Sequence, residues 1–138
     1  MNYQTLKSYF TTACTASSIT NFEFGFLYEI NFDRDVSYPM AVLIPLPYPI
    51  SMRSKEFVDM DVEFWILNKW DRDTNTDARE KVWDAIRTLG VTVLTLINAN
   101  AKLQILDVDN IGAEPFGLGQ SVDEVIAIKY TFKLRLYC

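Results

Sequence analysis

A chain of 138 residues that is 49% hydrophobic and 14% aromatic has ample material for a packed core. That excludes an intrinsically disordered protein and sets the expectation of one structural domain over residues 1–138. A formal net charge of −5 argues against a protein that grips nucleic-acid phosphates non-specifically. The absence of histidine removes the commonest general base and a frequent metal ligand, so the expectation is no enzyme and no cofactor.

The N-terminus, "MNYQTLKSYF", lacks the basic-then-apolar order of a signal peptide, and no apolar run in the sequence approaches membrane-spanning length. The expectation is a chain made in the cytoplasm, without a membrane partner. Residues 3–16 place Leu6, Tyr9, Phe10, Ala13 and Cys14 on one stripe, which predicts an amphipathic helix. Cys14 is expected inside it as a small hydrophobe. Cys138 is the last residue, and two cysteines make no disulfide framework. The aromatic, roughly alternating "FEFGFLYEINF" (22–32) predicts a strand. "MAVLIPL" follows Pro39 and predicts a second, which ends where Pro45 and Pro47 remove ladder donors.

The third predicted strand has the cleanest pattern. In "KEFVDMDVEFWIL", Val58, Met60, Val62, Phe64 and Ile66 alternate with Asp59, Asp61, Glu63 and Trp65. A second helix follows, with Ala78, Val82, Ala85, Ile86, Leu89, Val93 and Leu96 at three- and four-residue intervals. Gly90 and the β-branched "VTVLTLI" leave its second half open between helix and strand. "AKLQILDVDNI" and the C-terminal strand are expected to pair like a hairpin around "GAEPFGLGQS", a long turn. In that last strand Ile126, Ile128, Tyr130, Phe132, Leu134 and Leu136 alternate with Ala127, Lys129, Thr131, Lys133 and Arg135. The predicted class is therefore α+β. About five strands in an antiparallel or mixed sheet carry two helices on one face, in the order α-β-β-β-α-β-β.

The acidic face of Asp59, Asp61 and Glu63 and the basic face of Lys129, Lys133 and Arg135 admit two arrangements. As neighbours in the sheet they form cross-strand ion pairs. On different edges they are free to pair between subunits. Trp65 is expected to face outward if the alternation holds, or to be covered by the helices; Trp70 is expected in the turn after the strand. Exposed tryptophans are typical interface anchors, so these two residues and the two charged faces are the candidate interface.

"KWDRDTNTDARE" (69–80) begins like a calcium loop, with Asp71, Asp73, Asn75 and Asp77 at every second position. Counting from Asp71, however, position six is Thr76 instead of glycine, and position twelve is Val82 instead of a bidentate glutamate. A strand also precedes the string where a helix is required. The expectation is a solvated strand-to-helix turn that holds no metal, its acids favoured by the helix dipole. The pairs Asp59/Asp61 and Asp107/Asp109 would suit a two-metal enzyme by spacing, but alternation with apolar neighbours accounts for them as exposed strand positions. A metal-dependent enzyme or calcium-binding module stays as the reading from another class.

The order of "YEIN", "YP", an apolar strand, a long alternating strand, the acidic turn and the helix "VWDAIRTLGVTVLTLI" resembles small structural proteins of tailed bacteriophages. The group in question is the tail terminator and head-to-tail joining (neck) proteins, and the likeness spans about residues 1–138 in architecture. The resemblance implies a virion structural protein made in the bacterial host cytoplasm. It implies a homo-oligomeric ring, as a tail terminator or alternatively a neck or portal-adaptor ring, contacting portal, adaptor or tail-tube proteins. DNA would pass through its lumen without specific binding. It carries no catalytic residues, and it implies that the stretch after Gly90 continues as helix.

Overall fold

A computed structural model describes residues 3–27, 37–48, 56–71, 79–117 and 123–137. In chain order these form α1 (Tyr3–Ala16), β1 (Asn21–Phe24), β2 (Met40–Ile44), β3 (Phe57–Asp71), α2 (Arg79–Ala99), β4 (Leu103–Leu106), β5 (Gly112–Gly117) and β6 (Asp123–Tyr137). The fold is α+β with a six-stranded, open, mixed sheet ordered β1-β2-β3-β6-β4, with β5 also paired to β6. Only β1 and β2 run parallel.

The central pair is β3 with β6, antiparallel over all fifteen positions from Phe57↔Tyr137 to Asp71↔Asp123. Their alternation assigns every side chain to a face. Met60, Val62, Phe64 and Ile66 join Ile126, Ile128, Tyr130, Phe132, Leu134 and Leu136 in the main core. Helix α1 covers that face with Leu6, Phe10, Ala13 and Cys14, and the Phe10 and Phe64 rings lie 5.2 Å apart. Helix α2 adds Ile86, Val93, Leu94 and Ile97.

Three strand expectations are adjusted. The strand expected over 22–32 ends at Phe24, and residues 28–32 lie outside the described residues. The "GAEPFG" stretch, expected within a turn, is strand β5. Its glycines and proline conceal it in the sequence, but at the margin of the sheet it pairs with β6 from Gly112↔Thr131 to Gly117↔Ile126. Strands β4 and β5 flank the same side of β6 in succession. Six positions from Leu106 to Gly112 pass against two on β6, Lys133 to Thr131. The surplus bulges out as the loop at 107–111, where Asp107 takes a positive φ of 54°. Strand β3 also continues beyond its expected end, so Trp70 lies in the strand and not in a turn. It is half-buried against the main core, with the Arg79 guanidinium 5.1 Å from its ring centroid.

Helix α2 runs unbroken through Gly90, and its buried stripe is rotated from the expected one. Ile86, Gly90, Val93, Leu94 and Ile97 face inward, whereas Ala85 is exposed and Leu96 is 40% exposed. The rotation follows from Gly90, which is the helix's point of closest approach to β6. A Cβ there would lie 2.1 Å from the Tyr130 hydroxyl. That hydroxyl donates a 3.1 Å hydrogen bond to the Ile86 carbonyl, so the helix sits directly on the ring. By length and composition α2 is apolar enough to span a membrane, but its apolar side is packed on β3, β4 and β6.

Helix α1 ends in a Schellman motif: Ile19 N–H donates to the Cys14 carbonyl at 2.9 Å and Ser18 N–H to that of Thr15 at 3.2 Å. Ser18 occupies the left-handed position with φ 64°, and Ile19 then enters the core. Exposed threonines on both helices bond their own backbone. Thr11, Thr12 and Thr15 donate to the carbonyls of Lys7, Ser8 and Thr11, and Thr88, Thr92 and Thr95 to those of Asp84, Thr88 and Val91.

Gly90→Ala is expected to destabilise the protein by about 1–3 kcal/mol in urea unfolding, because the clash with Tyr130 outweighs the roughly 1 kcal/mol that alanine gains in helix propensity. An unchanged or raised urea midpoint would refute the close packing described. Burial pushes the Cys14 thiol up to about 12 and the Tyr130 phenol up to about 12, the latter against a lowering by Arg87. Unfolded, the two groups release their protons nearer 9 and 10, so the unfolded chain binds fewer protons above pH 9. Stability from these groups is present below pH 9 and is lost as pH rises toward 12. The urea midpoint should fall over that window, and less steeply in Cys14→Ala.

Candidate functional site

Opposite the helices, the sheet has a second face on which no helix packs among the described residues. The odd-numbered positions of β3 and β6 point to it, and it divides into two halves. Toward one end Met40, Val42, Ile44, Trp65, Leu67, Val125 and Ala127 are buried, with Leu27, Tyr38, Leu46 and Phe116 packed against them. Toward the other end the face is polar and charged.

Trp65 lies on this outward face, as alternation requires, but it is only 6% exposed. Its direction is the one alternation gives, but it is covered there, and not by a helix. The Phe116 ring of β5 packs on it with centroids 5.0 Å apart. Its Nε1–H donates to Glu63 Oε2 at 2.8 Å. Lys129 Nζ sits 5.9 Å from the Trp65 centroid and 5.3 Å from that of Phe116, and meets Glu114 Oε2 at 3.3 Å. Trp65, Glu63 and Lys129 therefore form one cluster at the junction of the two halves. Phe116 was missed in the sequence because its strand was hidden by glycine and proline.

The acidic and basic strand faces turn out to be neighbours. The register sets Asp59 against Arg135, Asp61 against Lys133, Glu63 against Thr131 and Trp65 against Lys129. Arg135 grips Asp59 with both arms of its guanidinium, Nε to Oδ1 at 2.8 Å and a terminal nitrogen to Oδ2 at 3.0 Å. Its guanidinium carbon also stacks 4.0 Å from the Phe57 centroid. The hydrogen bonds that Arg135 donates to the Asp59 carboxylate hold it firmly charged. Beside it the Tyr137 hydroxyl hydrogen-bonds Gln104 Oε1 at 2.7 Å. The two charged faces are thus adjacent, the first of the two arrangements expected, and Asp59 pairs with Arg135 within the subunit.

The remaining polar positions border an open groove of about 390 Å³. Asp61, Glu63, Thr131 and Lys133 line its floor, and Asp107 and Asn110 of the bulged loop form one wall. Asn110 Nδ2 donates to both Asp107 carboxylate oxygens, at 3.0 and 3.1 Å, which fixes the loop. The groove offers acceptors and one ammonium, suited to polar contacts with a surface. Asp59 and Asp61 do share a face, but Asp59 is engaged by Arg135. Among the described residues no three Asp, Glu, Cys or His side chains are arranged to hold a metal ion. Asp73, Asn75 and Asp77 lie outside the described residues, as does Cys138.

Because Asp59 and Arg135 are only partly screened from water, their coupling should be modest despite good geometry. A double-mutant cycle with Asp59→Ala and Arg135→Ala in urea should give about 0.5–1 kcal/mol, reduced by salt. A swapped pair, Asp59→Arg with Arg135→Asp, should regain part of what either single reversal loses. A coupling of zero would show that the bidentate pair contributes nothing to the sheet.

No protein-family model matches the chain, and no curated protein matches it significantly.

Proposed function

We propose that this chain is a structural protein of a tailed-phage virion, placed at the head–tail junction or tail end and working by assembly. In this reading copies form a tail-terminator-like ring around the DNA channel and dock against portal, adaptor or tail-tube proteins. A neck or portal-adaptor ring is the alternative within the same class. The observation that supports it best is the polar half of the second sheet face. There β3 and β6 set an acidic row, Asp59 and Asp61, directly opposite a basic one, Arg135 and Lys133. Such a surface is held in register by the ladder beneath it, and its exposed members Asp61 and Lys133 can pair with a neighbouring subunit at little cost.

The element order supports the same reading. Among the described residues β3 is followed by α2, which is continuous to Ala99, an order compatible with the resemblance. A net charge of −5 also suits a channel protein, since DNA would slide past without phosphate contacts to release.

Mass photometry of the chain with the portal and tail-tube proteins of its own phage tests the proposal. Discrete species of about six to twelve copies are expected, since a heterologous contact that closes gives a ring. Asp61→Lys should shift that population toward monomer without changing the urea midpoint by more than about 0.5 kcal/mol equivalent. A chain that remains monomeric with those partners present, and that binds calcium in titration calorimetry, would overturn the proposal in favour of a metal-binding module.

A further inference from the structure

Strand β4 is the last strand of the sheet on its side, so its outer row of backbone groups would ordinarily be open to pairing with another chain. Which groups point outward follows from the ladder. Tyr137 N–H donates to the Lys102 carbonyl at 2.8 Å, and Leu103 stands opposite Leu136. The Lys102 carbonyl and the backbone groups of Gln104 and Leu106 therefore point toward β6, and Leu103 and Ile105 direct theirs outward.

Both outward donors are already taken. The Ile105 N–H donates to the side-chain oxygen of Asn98, Oδ1, at 2.9 Å. The Leu103 N–H donates to the backbone carbonyl of Asn100 at 3.1 Å. Asn100 Oδ1 in turn accepts from Lys102 N–H at 2.9 Å, which holds the connection out of α2 in place. The last turn of α2 and the residue after it thus fold over the strand that follows them.

We infer that Asn98 and Asn100 form a built-in seal on the β4 edge, and that Asn98 is the residue that denies this edge to an incoming strand. The seal works because β4 is four residues long and has only two outward-facing residues. An incoming strand would find no free donor there and would have to displace Asn98 to obtain one. The inference does not depend on the proposed function: a second copy of the chain, ring-forming or not, is excluded from extending the sheet at β4. Contacts between copies then do not run through β4 strand addition.

Amide hydrogen exchange on the unaltered protein tests the seal first. Ile105, although its N–H faces away from β6, should be protected about 100-fold or more over an unstructured amide; an unprotected Ile105 would overturn the inference. Asn98→Ala should then speed exchange at Ile105 about tenfold or more, while Gln104, bonded within the ladder, changes less. In sedimentation at raised concentration, Asn98→Ala should form associated species that the parent does not. Asn98→Asp, which keeps an acceptor oxygen in place, should behave as the parent. Leu94→Ala, a core truncation that leaves the edge closed, serves as the control for destabilisation. If it associates as strongly as Asn98→Ala, or if Asn98→Ala stays in the parent's state, the seal is refuted.

Discussion

The fifteen-residue antiparallel ladder between β3 and β6 is the constraint from which the rest of the structure follows. Each strand alternates strictly, so once the two are in register the apolar sets of both fall on one side and the charged sets on the other. A slip by one residue would turn Phe64 and Tyr130 to the opposite side and bring Asp59 and Arg135 under the helices, a cost no local rearrangement could offset. The ladder also determines the height at which α2 rests. Tyr130 projects from β6 into the helix, and the only residue that accommodates it there is one without a side chain, Gly90. The other strands build outward from this pair: β2 joins β3 and β1 joins β2, while β4 and β5 join β6.

Much of this was legible in the amino-acid order because it depends on local period. The alternation of β3 and β6 and the stripe of α1 are properties of short windows. What was hidden depended on partners far away in the chain. Strand β5 has glycine at both ends and Pro115 within it, so it has no pattern of its own and exists because β6 offers a ladder to join. The inward side of α2 was misjudged between Leu96 and Ile97 because the deciding contact, Gly90 with Tyr130, spans forty positions. The candidate interface was legible as two charged strips, yet their pairing was not, since only the register places Asp59 beside Arg135. Trp65 pointed where alternation sent it, and its cover came from Phe116, in the strand that the sequence concealed.

The two sides of the sheet therefore carry different kinds of information. On the helix side the apolar cluster fixes the fold and leaves little to be recognised. On the other side buried aromatics give way, across the Trp65–Lys129 cluster, to an open polar surface bordered by the bulged loop. The transition is abrupt, about two residue pairs along the ladder, and it leaves the polar half supported on a rigid base. The two asparagines at the β4 edge leave that strand's outward donors engaged.

The threonines of α1 and α2 have a consequence for how the helical layer meets water. Six exposed hydroxyls are committed to carbonyls one turn back in their own helices, which leaves the γ-methyl of each as the group presented outward. Between Thr88 and Ala101 the sequence has no charged residue, and Val91 is 57% exposed in the same stretch. A surface that composition would class as polar is thus poorly hydrated. Stripping water from it costs little, because its donors have already been spent inside the helix.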